Sequence, residues 1–268
     1  VNGAQLLLAD MEFKSGNFDG AYVLIKTHYK NPSQLLQFAQ QLSKANAYTV
    51  ALRVYSDIID EQFKSDIIRS AIYGMATVLE SQSVKTETVL PISGFFNGNE
   101  FFESSYYSVD EILMPSLWKA VGIYDSLRTD GKGSDAAFRL AEIRFKAMND
   151  LDGAFKLYKE VAHKSRKRSI RFLASLSVVD IQLAKGDLGT AKAQIKSFLK
   201  TFKTKEETQI LKVKECQINF YNGELNAVKD SLALVLKELP KDAPRYNDLL
   251  DVQSVILAFT NQPELFAD

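Results

Sequence analysis

Five times along this chain a Gly or Asn is followed two residues later by an aromatic residue or Leu, and five residues later by a small one. The mark reads Gly16-Asn17-Phe18 with Ala21, then Asn46-Ala47-Tyr48 with Ala51, then Asn149-Asp150-Leu151 with Ala154. It returns as Gly186-Asp187-Leu188 with Ala191 and as Gly223-Glu224-Leu225 with Val228. Self-similarity of this kind marks an array of helix pairs. No single pair can bury its apolar face alone, so neighbours stack to share a continuous core.

Each part of the mark has a physical task. A helix that stops cleanly often sets one residue in the left-handed region, where Gly is unstrained and Asn nearly so. The aromatic or Leu covers the turn. The small residue opens a second helix where the two helices come closest. Four residues on stand Ile25, Tyr55, Tyr158, Ile195 and Leu232; seven on stand His28, Ile58, Val161, Phe198 and Val235. These extend one stripe along a helix face. Ala120, Tyr124 and Leu127 fit the same second helix without the turn before it. The small anchors fall at 21, 51, 120, 154, 191 and 228, so the spacings are 30, 69, 34, 37 and 37. The outlier is one repeat with a large insertion. First helices carry a small slot of their own at Ala9, Ala39, Gly74, Val179 and Cys216, whereas Ala141 of the fourth repeat is one residue out of register.

Phe13-Lys14-Ser15-Gly16-Asn17-Phe18-Asp19-Gly20-Ala21, with Pro32 closing the unit, resembles the tetratricopeptide repeat (TPR) family, and Leu183-Ala184-Lys185-Gly186-Asp187-Leu188 repeats the likeness. The resemblance covers nearly the whole chain outside residues 81–113. It implies an all-α, right-handed α-solenoid of about six antiparallel helix pairs, one body over 1–268. It departs from the family in lacking the first-helix Trp. The Tyr expected late in that helix is Glu12, Leu42, Phe145 or Gln182.

The pairs are expected over 1–32, 33–64, 65 to about 82 with a resumption near Leu117, 134–162, 165–202 and 205–239. A last first-type helix follows over 242–260. Without a second helix after it, an apolar face is left over unless this helix is the cap, and we expect a piece of a longer protein. The insertion, 81–113, has a different grammar. Thr86–Leu90 is β-prone, and Pro91 and Gly94 break any helix. Asn97-Gly98 lies between Phe95-Phe96 and Phe101-Phe102, a strong hairpin signal over 95–102. Tyr106-Tyr107 adds a third aromatic doublet. Ser108-Val109-Asp110-Glu111 reads as a capping box opening a helix to Leu127, with Pro115 a kink or a second start. The insertion either packs on its own repeat and patches the solenoid surface, or it covers or fills the concave groove or forms an aromatic contact site. The periodic core has no need of it, so replacing residues 86–108 by a Gly/Ser linker should leave a folded array and alter partner binding.

Lys plus Arg equals Asp plus Glu at 33 each, which argues against a nucleic-acid binder. No apolar run approaches a membrane span. The single cysteine, Cys216, excludes an internal disulfide and reads as core. His28 and His163 stand far apart with no metal spacing around them. Gly131-Lys132-Gly133 lacks the strand and spacing of a phosphate loop. No cofactor and no enzymatic activity are expected. The basic run from His163 to Arg168, with Arg171, is a solvated face, a seat for an acidic partner or a phosphate, or a guide for self-association. Cytoplasm and bacterial periplasm stay equally open.

In the TPR family the concave face is lined by first helices, at 15, 11, 8 and 7 residues before the small anchor. Carried over, the resemblance implies Asp10, Phe13, Lys14, Gln40, Lys44, Arg139, Ile143, Lys146, Asp180 and Gln217, with Met75 added by anchoring the third repeat on Gly74. The family's carboxylate clamp is absent, because Leu6/Asp10 and Leu36/Gln40 stand where Asn and basic residues are needed. The expected function is a protein–protein interaction scaffold. It would grip a peptide or helix on that face, or through Phe95, Phe96, Phe101, Phe102, Tyr106 and Tyr107. The alternatives are a self-assembling module stacking through open ends, giving a homo-oligomer, or a domain of a larger enzyme, transport or secretion assembly.

Overall fold

The computed structural model describes residues 2–28, 31–61, 63–89, 99, 101–102, 104–129, 133–243 and 245–261. Among these, thirteen α-helices follow in chain order. They are α1 (Asn2–Lys14), α2 (Phe18–His28), α3 (Pro32–Lys44), α4 (Tyr48–Asp60), α5 (Ser65–Ser83), α6 (Met114–Arg128) and α7 (Ser134–Lys146). Then come α8 (Leu151–Lys164), α9 (Arg168–Ala184), α10 (Leu188–Thr201), α11 (Lys205–Tyr221), α12 (Leu225–Glu238) and α13 (Tyr246–Asn261). Two strands, β1 (Val84–Val89) and β2 (Ser104–Val109), pair as a small sheet. The chain folds into two compact units. The first holds Val1–Thr86 and Tyr107–Ile143; the second holds Glu87–Tyr106 and Arg144–Asp268.

Every positive φ among the described residues falls on one of the five marks: Gly16 at 85°, Asn46 at 59°, Asn149 at 52°, Gly186 at 73° and Gly223 at 75°. Four of the turns close identically. The N–H one residue past the mark reaches back five residues, from Asn17 to Glu12, Ala47 to Leu42, Asp187 to Gln182 and Glu224 to Asn219, each at 2.9 Å. This satisfies carbonyls that a helix end leaves open. At Asn149 the equivalent N–H, of Asp150, reaches back six residues to Arg144 at 2.8 Å. The fourth turn is therefore one residue longer, which accounts for the offset of Ala141. The residue after the mark also starts the next helix. Asn17, Asp150 and Asp187 accept from the N–H of Gly20, Gly153 and Thr190 at 3.1, 2.9 and 3.3 Å.

The anchors Ala21, Ala51, Ala120, Ala154, Ala191 and Val228 are all fully buried, as are Tyr55, Tyr124, Tyr158, Ile195 and Leu232 a turn later. At Gly74 even a methyl group has no room: a Cβ there would lie 2.4 Å from the Tyr55 ring. In the first unit, Tyr22, Phe38, Leu42, Val54 and Ile58 form the centre of the α1–α5 core. In the second, Phe172, Ile195 and Leu211 anchor one cluster, while Leu232, Leu249 and Val252 anchor another. The face of α13 that looks unpaired in the sequence packs into this last cluster through Leu249, Val252 and Ile256.

The insertion departs from expectation in part. The Asn97-Gly98 turn, with Phe95 and Phe96, lies outside the described residues. Phe101 and Phe102 are in a turn rather than a strand, and the paired strands stand further out. The helix expected from Ser108 begins later. Asp110 caps a 3-10 turn over Glu111–Leu113 by accepting from Ile112 N–H at 2.9 Å, and α6 starts at Met114. Pro115 sits in its first turn, where a missing N–H is no loss; it is a second start, not a kink.

Candidate functional site

The first helices α1 and α3 leave an open cleft of about 580 Å³ in the first unit, lined by Leu6, Ala9, Asp10, Phe13, Lys14, Ile25, Phe38, Gln41, Lys44 and Ala45. Periodicity puts these residues together. Ala9 and Ile25 are stripe positions whose small or branched side chains leave space, and Phe13 and Phe38 meet edge to face at 5.9 Å as the floor. The rim is polar. Asp10 and Lys14, one helical turn apart, pair at 2.7 Å with both side chains more than half exposed. Lys44 faces them from α3, exposed and without an ion-pair partner among the described residues. The arrangement offers apolar walls, several hydrogen-bonding groups and one uncompensated positive charge.

Of the residues carried over from the resemblance, Asp10, Phe13, Lys14 and Lys44 therefore share one cleft. Gln40 does not join them. It is exposed on α3, and its neighbour Gln41 lines the cleft instead. Met75 is half-buried against the α1–α5 core. The sequence reading also passed over Leu6, Phe38 and Gln41 as members of this site. Leu6 stands at one of the carried-over offsets, 15 before Ala21, and was the one signal available.

Arg139 and Ile143 are corrections. Ile143 is fully buried. Arg139 binds the buried Glu80 through Nε and Nη2, and Tyr124 donates to the same carboxylate at 2.8 Å. Burial raises the Glu80 pKa, opposed by the Arg139 guanidinium. This polar knot ties α5, α6 and α7. The reason lies in the longer fourth turn. One extra residue rotates α7 by about 100° relative to the counting frame, so the carried-over offsets point inward. Lys146, half-buried, is already engaged in an interaction.

In the second unit the corresponding positions are also occupied. Asp180 pairs with Lys214 at 2.8 Å. Gln217 is buried, and its Nε2 donates to the carbonyl of Phe101. Phe101 and Phe102 are themselves buried with Leu232, Leu249 and Val252. They are core of the second unit, which corrects the reading that the array has no need of the insertion and removes them as open contact residues. Tyr106 is exposed and Tyr107 half-buried on β2.

The basic run is largely engaged within the chain. Arg168 grips Glu207 with two bonds of 2.8 Å and lies over the Phe202 ring, and Arg171 donates to the Ser165 carbonyl at 2.8 Å. The Arg168 bond, with backbone and hydroxyl of Thr204, holds the Glu207 carboxyl down at about 2. Burial pushes the Cys216 thiol up to about 12, in keeping with a core side chain rather than a reactive one. Among the described residues no cluster of His, Cys, Asp and Glu could hold a metal, and no helix is long and apolar enough to cross a membrane.

No protein-family model matches this sequence, and comparison with curated proteins finds no match. Solved structures do match in fold. A tetratricopeptide repeat protein from Parabacteroides merdae superposes with a TM-score of 0.55 at 11% identity, covering 98% of this chain and 88% of its own. Nearly identical TPR-like repeats from Podosopora anserina, described as kinesin light chain, superpose at 0.51 with 12% identity, covering 81% of this chain and all of theirs. The fold is that of a TPR-like helical repeat protein, an all-α solenoid.

Proposed function

We propose that this chain is a protein–protein interaction scaffold whose open cleft on α1 and α3 takes a protein segment bearing an apolar side chain beside an acidic one. The observation that supports this is the cleft's composition. Leu6, Phe13, Ile25 and Phe38 offer an apolar wall, while Lys44 supplies a cation with no partner among the described residues. An apolar anchor would bury in the wall, and a carboxylate at the rim would steer and orient it. A TPR-like fold, in which first helices present a shared face, supports the same reading.

Selection of a random 12-residue displayed peptide library against the protein tests it. Enriched peptides should combine a large apolar residue with Asp or Glu nearby. They should lose tenfold or more in affinity against Phe38→Ala or Lys44→Glu, with circular dichroism unchanged. Enriched peptides indifferent to both substitutions would exclude the cleft.

One observation favours a second reading, self-assembly. Leu7 and Met11, one turn apart on α1, are 62% and 59% exposed, and Leu8 beside them is 42% exposed. An apolar face of this kind favours association. Light scattering over a concentration series should then show a dimer that Leu7→Glu with Met11→Glu returns to monomer; a monomer throughout would exclude it.

A further inference from the structure

Charge is balanced over the chain but not along it. Residues 144–205 carry 15 Lys and Arg against 5 Asp and Glu, an excess that the rest of the chain offsets. Within the second unit these cations fall into two groups. Lys185 is tied to Asp152, Lys164 to Glu160 and Lys192 to Glu224, and Arg168 grips Glu207. Lys156, Lys159, Lys196, Lys200 and Lys203 are exposed and have no ion-pair partner among the described residues. The carboxylates nearest to them are thus already engaged, and the positive charge that remains is uncompensated.

The free cations are in register. Lys159 and Lys196 each stand five residues after a buried anchor, Ala154 and Ala191, and His163 and Lys200 stand nine after. Equal stations on α8 and α10, which both pack on α9, present the same face of two successive second helices. Elsewhere those stations differ. They read Ser56 and Asp60 after Ala51, Asp125 and Thr129 after Ala120, and Ala233 and Lys237 after Val228. On α2 the first station is Lys26, which is bound to Asp57. The doubled row is therefore particular to α8 and α10. Along α8, Lys156, Lys159 and His163 rise about 4.5 and 6 Å apart. That is within the Debye length of about 8 Å at physiological salt, so their fields add. A cation in the last turn answers the helix dipole, which accounts for His163 and Lys200. It does not account for Lys156, Lys159 and Lys196, which lie before the last turn. Lys196 and Lys200, four apart, repel each other along α10, and a bound anion relieves that repulsion.

The chemistry of the face selects among anionic partners. Unpaired bases need aromatic rings to stack on, and the aromatic residue here, Phe155, is half-buried with Lys159 and Lys185 over its ring at 5.3 and 5.5 Å. A membrane-binding helix adds large apolar side chains to its cations, and no exposed residue of α8 or α10 is a large apolar one. Lysines on flexible stems are point charges that meet carboxylates arriving in varied orientations. We propose that the exposed face of α8 and α10 binds a protein segment rich in Asp and Glu, by charge complementarity with Lys159, Lys196 and their neighbours. This site is separate from the α1–α3 cleft and does not rest on it.

The test is fluorescence anisotropy at about 0.15 M salt, with a labelled 12-residue peptide of alternating Asp and Glu and an Asn/Gln peptide as its uncharged counterpart. The unchanged chain should bind the acidic peptide and not the uncharged one. Lys159→Glu with Lys196→Glu should weaken binding at least tenfold, with circular dichroism unchanged. Lys159→Arg with Lys196→Arg should bind as the unchanged chain does, because charge rather than shape is read. Lys44→Glu should also leave binding unchanged, which separates this face from the cleft. No binding by the unchanged chain would overturn the proposal, as would equal binding by a folded double-Glu variant. A single-stranded oligonucleotide, or a vesicle of anionic phospholipid, that binds more tightly than the peptide and is lost in the same variant would also overturn it, by assigning the face to nucleic acid or to membrane. If the double-Glu variant does not fold, Lys159→Gln with Lys196→Gln carries the test. Weaker peptide binding by that variant supports the proposal, and equal binding overturns it.

Discussion

Gly186 shows how one residue sets local architecture here. At φ 73° it ends α9, and the N–H of Asp187 closes the turn on Gln182. Gly186→Val puts a β-branched side chain in the left-handed region, and we expect a loss of about 1–2 kcal/mol, read as a lowered urea midpoint. An unchanged midpoint would mean the strain is absent. Glu207 supports a prediction about acid. Its bond to Arg168 lowers its pKa from 4.5 to about 2 in the folded chain. A depressed carboxylate contributes stability that is fully present above the unfolded value and is lost as pH falls through the folded one. The window is therefore from about 4.5 down to about 2. A carboxyl-carbon NMR titration of Glu207 should find its midpoint near 2, and Arg168→Ala should move it up toward the ordinary range. A midpoint unmoved by Arg168→Ala would remove the bond as its cause.

Whole helices are held by how closely they approach, and Ala51 and Ala191 are the points of approach in α4 and α10. Both are fully buried. Ala51→Leu or Ala191→Leu should cost roughly 1–3 kcal/mol by overpacking. Replacing the exposed Lys196 of α10 by Ala should change the melting temperature little by comparison. The insertion contributes at the same scale. Phe102→Ala should cost about 3–5 kcal/mol, as truncation of a buried ring does, visible as a lower midpoint for α11–α13 in hydrogen exchange. Much of this layer was legible in the sequence, because a turn is written in adjacent residues: a left-handed Gly or Asn, a covering aromatic, a small anchor. The partners of Phe101 and Phe102 were not legible. Phe220 and Leu249 lie more than a hundred residues away, and no periodicity links them to an insertion. Ile143 was misplaced for a local reason, since one extra residue in the Asn149 turn changes no composition yet turns a whole helix face.

For the molecule as a whole, the sequence made plain that helices pair in order, and the likeness to TPR-like structures at 11–12% identity bears this out in fold. The cleft was half legible. Asp10, Phe13, Lys14 and Lys44 follow from counting back from the anchors. Gln41 and Phe38 do not, because a lining position depends on how far one helix is turned against the next. What unites the turns, the anchors and the cleft is that each pair rests mainly on its neighbours, with the Phe101–Phe102 turn on α11–α13 the exception, so damage to a regular pair should stay near its origin. Native-state hydrogen exchange on the unchanged chain and on Ala51→Leu tests this most directly. The account predicts faster exchange in α3, α4 and α5, with protection in α9 to α12 unaltered. An equal loss of protection in every helix would contradict it.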